Sequence, residues 1–397
     1  MADREAKKSQ KPTPPQLGSS LGKLLSLGFL GLAVYVGIAL KSSYEIYDVR
    51  PFPEFPTHPL TAGLAPNNRL QKSEILLKGK ILGPESIIAE GNKLTTGTHD
   101  GKIVEITEGK ITKEFIMNPF CKTLNPRNCF RPLGMRRLNS KELIVADAYQ
   151  GLYTVNMEEM SFKRILEANM LIDGEPMKFA DDVDVIDEEN VILSDASTRF
   201  TYHETIVDFN EGVPSGRVLH VNLRTKNVRV LTHGLYFANG VQLFPDKKSF
   251  LVCESLSGRV HRVYLEGEKK GKREVFVEGL PGIPDNVRLG KDGTFWVALA
   301  KARHPDKFDF AHFLKPHPML RRLLISLFPH SWIYKATLLP TFAMIVQVSQ
   351  TGEILSSLQD PTGSVVKGIT QVISHMRYRR RRVPLPGQLL HRLRRAR

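Results

Sequence analysis

The sequence predicts an all-β protein, a six-bladed β-propeller carried behind one N-terminal transmembrane helix. Three observations predict it. A strand–turn–strand unit recurs along the body, its recurrences are evenly spaced, and a run without charge precedes them all. Of the 397 residues, 41% are apolar and 24% charged, which supports a folded core rather than wholesale disorder. Three cysteines exclude a disulfide-dense scaffold and a multi-zinc module.

Residues 1–20 are polar, contain three prolines and read as a disordered cytosolic tail. Residues 21–40 read as a signal-anchor helix. The uncharged stretch Leu24 to Leu40 has seventeen residues, about 26 Å at about 1.5 Å per residue, enough to cross a thin bilayer. Arg4, Lys7, Lys8, Lys11 and Lys23 precede it, whereas Lys41 is set against Glu45 and Asp48 beyond it. The positive-inside rule therefore gives a single-pass type II protein, its body lumenal or extracellular. In such an oxidising compartment Cys121 and Cys129, in a Pro/Asn-rich loop, are expected to pair, while Cys253 sits in an apolar strand pattern and is expected as a buried thiol.

Residues 44–373 form the repeat. Units start at Pro84 ("PESIIAEGNKLTTGTHDGKIVEIT"), Pro132 ("PLGMRRLNSKELIVADAYQGLYTVN"), Asn239 ("NGVQLFPDKKSFLVCESLSGRVHRVYL") and Asp285 ("DNVRLGKDGTFWVALA"). Short strands alternate with turns rich in Gly, Asn, Asp and Lys. Equivalent starts near 85, 133, 181, 239 and 285 lie about 46 to 58 residues apart, the range of a four-stranded propeller blade. A last unit around "FAMIVQVSQTGEILSSL" and "KGITQVIS" makes six. The gap before it holds "HPMLRRLLISLFPHSWIY", where Leu320, Leu323, Leu324, Leu327 and Phe328 share one helical face beside Arg321 and Arg322. This face suits a helix packed on the rim, a lid, or a second contact with the membrane surface.

The segments "GPESI" (83–87), "CFRPLGMR" (129–136), "VADAYQGLYTVN" (145–156), "FADDVDV" (179–185), "FANGVQL" (237–243) and "GIPDNVRL" (282–289) carry a resemblance. The chain resembles the strictosidine synthase-like family and, within it, the adipocyte plasma membrane-associated group. The resemblance implies a six-bladed propeller related to paraoxonases and gluconolactonases, with a type II anchor.

Each repeat places a polar residue at the start of its innermost strand, and inner strands of a propeller line its axis. Glu85, Asp181, Asn239 and Asp285, with Asn286 next door, thus converge as oxygen donors, the chemistry of a hard cation such as Ca²⁺. In the calcium-dependent hydrolases that the chain resembles, the matching positions hold the metal. The family commonly has Asn where this chain has Asp181, which adds a negative charge. A bound Ca²⁺ would polarise an ester or lactone carbonyl, with Asp285 as nucleophile or general base. Paraoxonases use a histidine near the second-blade motif. Here Pro132, Leu133 and Gly134 stand there, and His99, His203 and His233 are weak substitutes. No GxSxG elbow occurs. Phe130, Tyr149, Phe237 and Trp296 are candidates for the mouth or inner wall. The glutamate that serves strictosidine synthase itself in its sixth blade has no counterpart after Glu353.

Residues 374–397 carry nine arginines and no acid, and supply +9 of the formal +15. They replace the family's usual ending and leave an incomplete sixth blade. With this tail on the lumenal side, no nucleic-acid partner is expected. The sequence therefore reads as a membrane-anchored, Ca²⁺-dependent hydrolase of small esters or lactones, arylesterase-like. The alternative is a non-catalytic propeller that binds a ligand or partner at the membrane.

Overall fold

The structure is a computed structural model and describes residues 17–118, 129–304, 306–373 and 388–389. Helix α1 (Leu17–Ile46) opens the chain. Its stretch Gly22–Ile46 has a mean hydropathy of 1.9 over its most apolar window and none of that window is covered by the rest of the protein. An apolar helix of this length, its most apolar window free of protein contact, is long enough to cross a membrane.

Among the described residues the body forms five four-stranded antiparallel meanders. Blade 1 comprises Ile87–Glu90, Lys93–Gly97, Lys102–Thr107 and Lys110–Ile116; blade 2 comprises Pro132–Arg137, Glu142–Asp147, Gly151–Asn156 and Ser161–Glu167. Blade 3 takes Ala180–Val185, Asn190–Asp195, Gly216–Asn222 and Val228–Leu235. Blade 4 takes Ala238–Leu243, Ser249–Glu254, Arg259–Tyr264 and Arg273–Val277. Blade 5 takes Gly282–Leu289, Phe295–Ala302, Ala343–Val348 and Ile354–Asp360. The first strand of each blade is innermost, and apolar side chains fill the space between sheets, as where Leu251 and Cys253 of blade 4 meet Val287, Phe295 and Met344 of blade 5. Cys253 is buried and free, as expected.

The expected count of six is corrected here. The unit "FAMIVQVSQTGEILSSL" is not a sixth blade, because Ala343–Val348 pairs onto Phe295–Ala302, Ile354–Asp360 pairs onto Ala343–Val348, and the two complete blade 5. An insertion of three helices, α3 (Phe310–Leu314), α4 (Pro318–Leu327) and α5 (His330–Thr337), splits that blade between its second and third strands. The split makes one blade look like two in a spacing count. After blade 5, residues 365–372 run beside the axis without joining a sheet. Asn286 N–H donates to Thr370 O at 3.1 Å, and Gln371 Nε2 donates to Ile87 O at 2.8 Å. This segment stands between the inner strands of blades 5 and 1, where another inner strand would close the ring. The remaining pairing joins Ile75–Leu76 to Gln388–Leu389 in a two-stranded ladder.

A carboxylate latch recurs at the end of the second strand. Asp147 Oδ2 accepts from Arg131 N–H at 2.7 Å, Asp195 Oδ1 from Phe179 N–H at 3.1 Å, and Glu254 Oε1 from Tyr236 N–H at 2.9 Å. Each fixes the residues that lead into its own blade's inner strand. Burial pushes the Asp147 carboxyl up to about 7.

Helix α2 (Thr205–Glu211) packs beside α4 and buries Asp208, whose carboxyl burial lifts to about 8 against the pull of a Ser197 hydrogen bond. A carboxyl raised in the folded state favours folding while protonated, so its contribution is complete below about pH 4 and is lost as pH rises through about 8. Asp147 acts in the same sense. We expect the melting temperature to fall between pH 5 and 8.5, and Asp208→Asn to reduce that fall. An unchanged slope in the variant would exclude Asp208 as a source.

Candidate functional site

The inner strands of blades 2 to 5 share one irregularity. Their register slips between Pro132 and Met135, Ala180 and Val183, Ala238 and Val241, and Pro284 and Val287. Two residues bulge at each place: Leu133–Gly134, Asp181–Asp182, Asn239–Gly240 and Asp285–Asn286. A bulge re-aims side chains and increases local twist, so the candidate ligands sit where the ladder is broken. The bulges of neighbouring blades nest. A Cβ at Gly134 would lie 2.4 Å from Asp182 Cα, and one at Gly240 would lie 2.5 Å from Asn286 Cα. Only glycine permits that approach. Gly240→Ala should therefore cost about 1–3 kcal/mol in a denaturant melt through overpacking, and an unaltered midpoint would contradict the nesting.

Glu85, Asp181, Asn239 and Asp285 are all buried yet keep 6–8% of their surface open. Glu85 enters just before blade 1, its N–H on Gly97 O at 3.4 Å. Asn286 Nδ2 donates to Glu85 Oε1 at 3.0 Å, and Arg131 Nη2 lies 3.9 Å from Glu85 Oε2. Burial pushes Glu85 up to about 7, opposed chiefly by Arg131. Burial, then Glu85 and Asp182, push Asp181 well above the usual carboxylate range; burial, then Glu85 and Asp181, do the same to Asp285. The three carboxyls thus share one field, and without a cation they favour the protonated form.

Whether these residues suit Ca²⁺ rests on the donor set. All donors are oxygens, and Asn239 Oδ1 is buried without a hydrogen-bond partner. Such an orphaned acceptor suits an ion. Among the described residues, no three His, Cys, Asp or Glu side chains are grouped as metal ligands, so the amides must share in holding a cation. Asn286 contributes less than its position suggests, because its Oδ1 already accepts from Arg288 Nη2 at 3.0 Å.

Beneath this tier lies an ionic strut that sequence reasoning missed. Buried Arg288 grips Asp182 with two bonds, Nη1 to Oδ2 at 2.7 Å and Nη2 to Oδ1 at 3.0 Å. Its Nε and Nη2 also donate to Gln371 Oε1 at 2.9 and 2.6 Å, and Ser86 Oγ donates to the same oxygen at 2.8 Å. Arg136 reaches Asp182 at 3.5 Å and Asp184 at 3.3 Å. Val241 N–H donates to Asp182 Oδ2 at 2.8 Å. The strut therefore ties all five blades and the 365–372 segment together. Neighbouring residues have different tasks: Asp181 shares the upper field, Asp182 the lower strut. The signal available in the sequence was the Asp181–Asp182 pair, but not its bulge.

An apolar cluster closes one side. Phe52, from the linker after α1, packs with Leu133, Phe179 and Phe237. Phe237 holds a left-handed φ of 68°, two residues before Asn239, a strained conformation of the kind found at functional sites. Leu133 fills the second-blade position in that apolar cluster and supplies no base. His99 and His203 lie with Tyr149 and Tyr202, His203 stacked on Tyr149 at 4.8 Å between centroids, and the Arg131 guanidinium lies 5.5 Å from the Tyr202 ring. His233 lies in an outer strand. Phe130 packs on Tyr153 and Phe162, and Trp296 in the core of blade 5, so neither shapes the mouth. Cys129 is disulfide-bonded; Cys121, its expected partner, and almost all of the arginine-rich tail lie outside the described residues.

Residues 181–268 match the strictosidine synthase family and residues 63–106 the strictosidine synthase-like N-terminal family. An adipocyte plasma membrane-associated protein of Gallus gallus is 35% identical over 95% of both chains. The chain belongs to the strictosidine synthase-like family. A plant member, Protein STRICTOSIDINE SYNTHASE-LIKE 3 of Arabidopsis thaliana, is 32% identical over 88% of this chain and 93% of its own. Among solved structures, the calcium-binding protein regucalcin of Agrobacterium tumefaciens aligns with a TM-score of 0.47 at 13% identity, over 72% of this chain and 77% of that one. The relatives are membrane-associated by name, and this family member carries one apolar helix long enough to span a bilayer.

Proposed function

We propose that this strictosidine synthase-like propeller is a membrane-anchored hydrolase of small esters or lactones that holds Ca²⁺ at its axis. The observation that carries the reading is the buried, unpartnered Asn239 Oδ1, at a bulge equivalent to those of Asp181 and Asp285, two carboxyls that burial and the charge of Glu85 both push up. The Asn239 amide, with no more than two of the carboxyls of Glu85, Asp181 and Asp285, would hold the ion, and Asn286 would position Glu85. Bound Ca²⁺ would supply Lewis-acid polarisation of a carbonyl. Asp285, ionised against the bound cation, would take up the proton as general base; burial, Glu85 and Asp181 raise its basicity. Arg131 holds Glu85 in place from the other side.

The reading also takes the chain as type II. The cations before α1 favour a cytosolic N-terminus, and a disulfide at Cys129 suits an oxidising compartment. A second reading, a non-catalytic binding propeller, is favoured by one observation: Leu133 puts an apolar side chain where paraoxonases place a histidine. Phenyl acetate turnover by the full chain in detergent separates them. The hydrolase reading expects turnover that a chelator abolishes and Ca²⁺ restores. A folded protein with no turnover under either condition favours the binding propeller.

A further inference from the structure

Helix α4 carries arginines on its inner face, beside buried Ile325, and apolar side chains on part of its outer face. It buries Arg321 and Arg322, at 2% and 6% exposure, and turns Met319 and Leu320 outward, at 49% and 39%. The inward arginines have partners. Arg322 Nη1 donates to Ser43 O at 2.7 Å, which also accepts from Tyr47 N–H, and to Tyr47 O at 2.9 Å just past the end of α1, and its guanidinium lies over the Tyr44 ring at 3.9 Å. A cation at a helix C-terminus satisfies unpaired carbonyls and the helix dipole. Arg321 donates to Asn210 O and Arg50 O, which ties α2 and the linker to the same point. Tyr44 Oη donates to Met319 Sδ at 3.0 Å. Helix α4 is therefore docked where α1 leaves its apolar stretch.

The side chains that face out continue this pattern. Phe328 and Trp332, exposed at 46% and 63%, follow Met319 and Leu320, with Phe313 and Phe308 on the segment before them. Water disfavours such a contiguous apolar face, and a patch of this kind marks an interaction surface. Its continuity with α1 identifies the occupant. We propose that α3 to α5 seat in the lipid interface of the bilayer that α1 crosses, on the propeller's side, and so fix the propeller's orientation over the membrane. The proposal rests on the reading of α1 as a membrane span. Tryptophan and tyrosine favour that depth, where ring and polar tip meet different surroundings. Of the two acids between residues 306 and 340, Asp306 and Asp309, the second is already paired with Lys301 Nζ at 2.9 Å, so the face carries little charge that lipid phosphate would repel.

The chain offers its own probe, because it has two tryptophans and Trp296 is buried in blade 5. The full chain is assembled into phosphatidylcholine nanodiscs with plain or brominated acyl chains. We expect brominated lipid to remove about half of the Trp332 emission, as for a side chain buried at the interface, and to leave the remaining emission of Trp332→Phe unchanged. That residual Trp296 signal also reports an intact propeller. A chain that enters the discs while Trp332 stays water-exposed and unquenched overturns the proposal and leaves the anchor standing. A chain that does not enter the discs overturns both. Lipid-independent burial of Trp332 that depends on protein concentration overturns the proposal in favour of a second copy covering this face.

Discussion

Replacing Arg288 with methionine is expected to cost the folded protein about 3–5 kcal/mol, the penalty for leaving a buried charge without its partner. The substitution keeps the stem and removes the guanidinium. Asp182 then loses its bidentate bond, Gln371 Oε1 loses two donors and Asn286 Oδ1 one. Arg136, at 3.5 Å from Asp182, cannot replace that geometry. Because the strut also holds residues 365–372 against blades 5 and 1, the loss should loosen the ring where no complete sixth sheet is described. Denaturant melts of Arg288→Met and of Arg288→Met with Asp182→Leu check this. The single variant should lose most of its stability, and the double should recover part of it, since an apolar pair avoids the stranded carboxylate. A wild-type midpoint in the single variant would show that the axis is held by something else.

The second large effect concerns chemistry. Asp285→Asn is expected to lower ester or lactone turnover by about 10²–10⁴-fold, the usual contribution of a positioned acid–base group. The amide is isosteric and the site is buried, so the stability of the cation-free chain should change little or rise, since burial, Glu85 and Asp181 all disfavour the native carboxylate. Turnover and melting of the same preparation separate the two. Equal loss of both would mark Asp285 as a structural residue.

Most of the architecture is legible in the sequence because turns and alternating strands repeat at blade spacing. The starts near 85, 133, 181, 239 and 285 each prove to open a blade. The count fails at one place for a physical reason. Helices α3 to α5 are inserted inside blade 5, and hydrogen bonding between strands does not depend on the sequence distance between them. Within the site, equivalence of repeat positions points to Glu85, Asp181 and Asp285, and the last two both sense the charge of Glu85. What the repeat conceals is the bulge. Strict alternation would send Asp181 and Asp182 to opposite faces of a sheet, whereas two residues displaced from the ladder divide between an upper field and a lower strut. Arg131 and Arg288 were missed because the repeat fixes their positions but not their partners; each answers a carboxylate contributed by a different blade. The inward arginines of α4 were missed because a helical wheel shows that Arg321 and Arg322 lie beside the leucines, and cannot show the backbone carbonyls that receive them, Asn210 O and Arg50 O for the first and Ser43 O and Tyr47 O for the second.

The central claim is that the axial oxygens hold a calcium ion, and titration calorimetry of the chelator-stripped full chain at pH 7.5 tests it most directly. The account predicts binding of about one Ca²⁺, with protons released as the raised carboxyls give them up, and loss of that heat in Asn239→Ala and in Asp285→Asn. A folded wild-type chain that gives no calcium heat, or variants that bind as the wild type does, would contradict it.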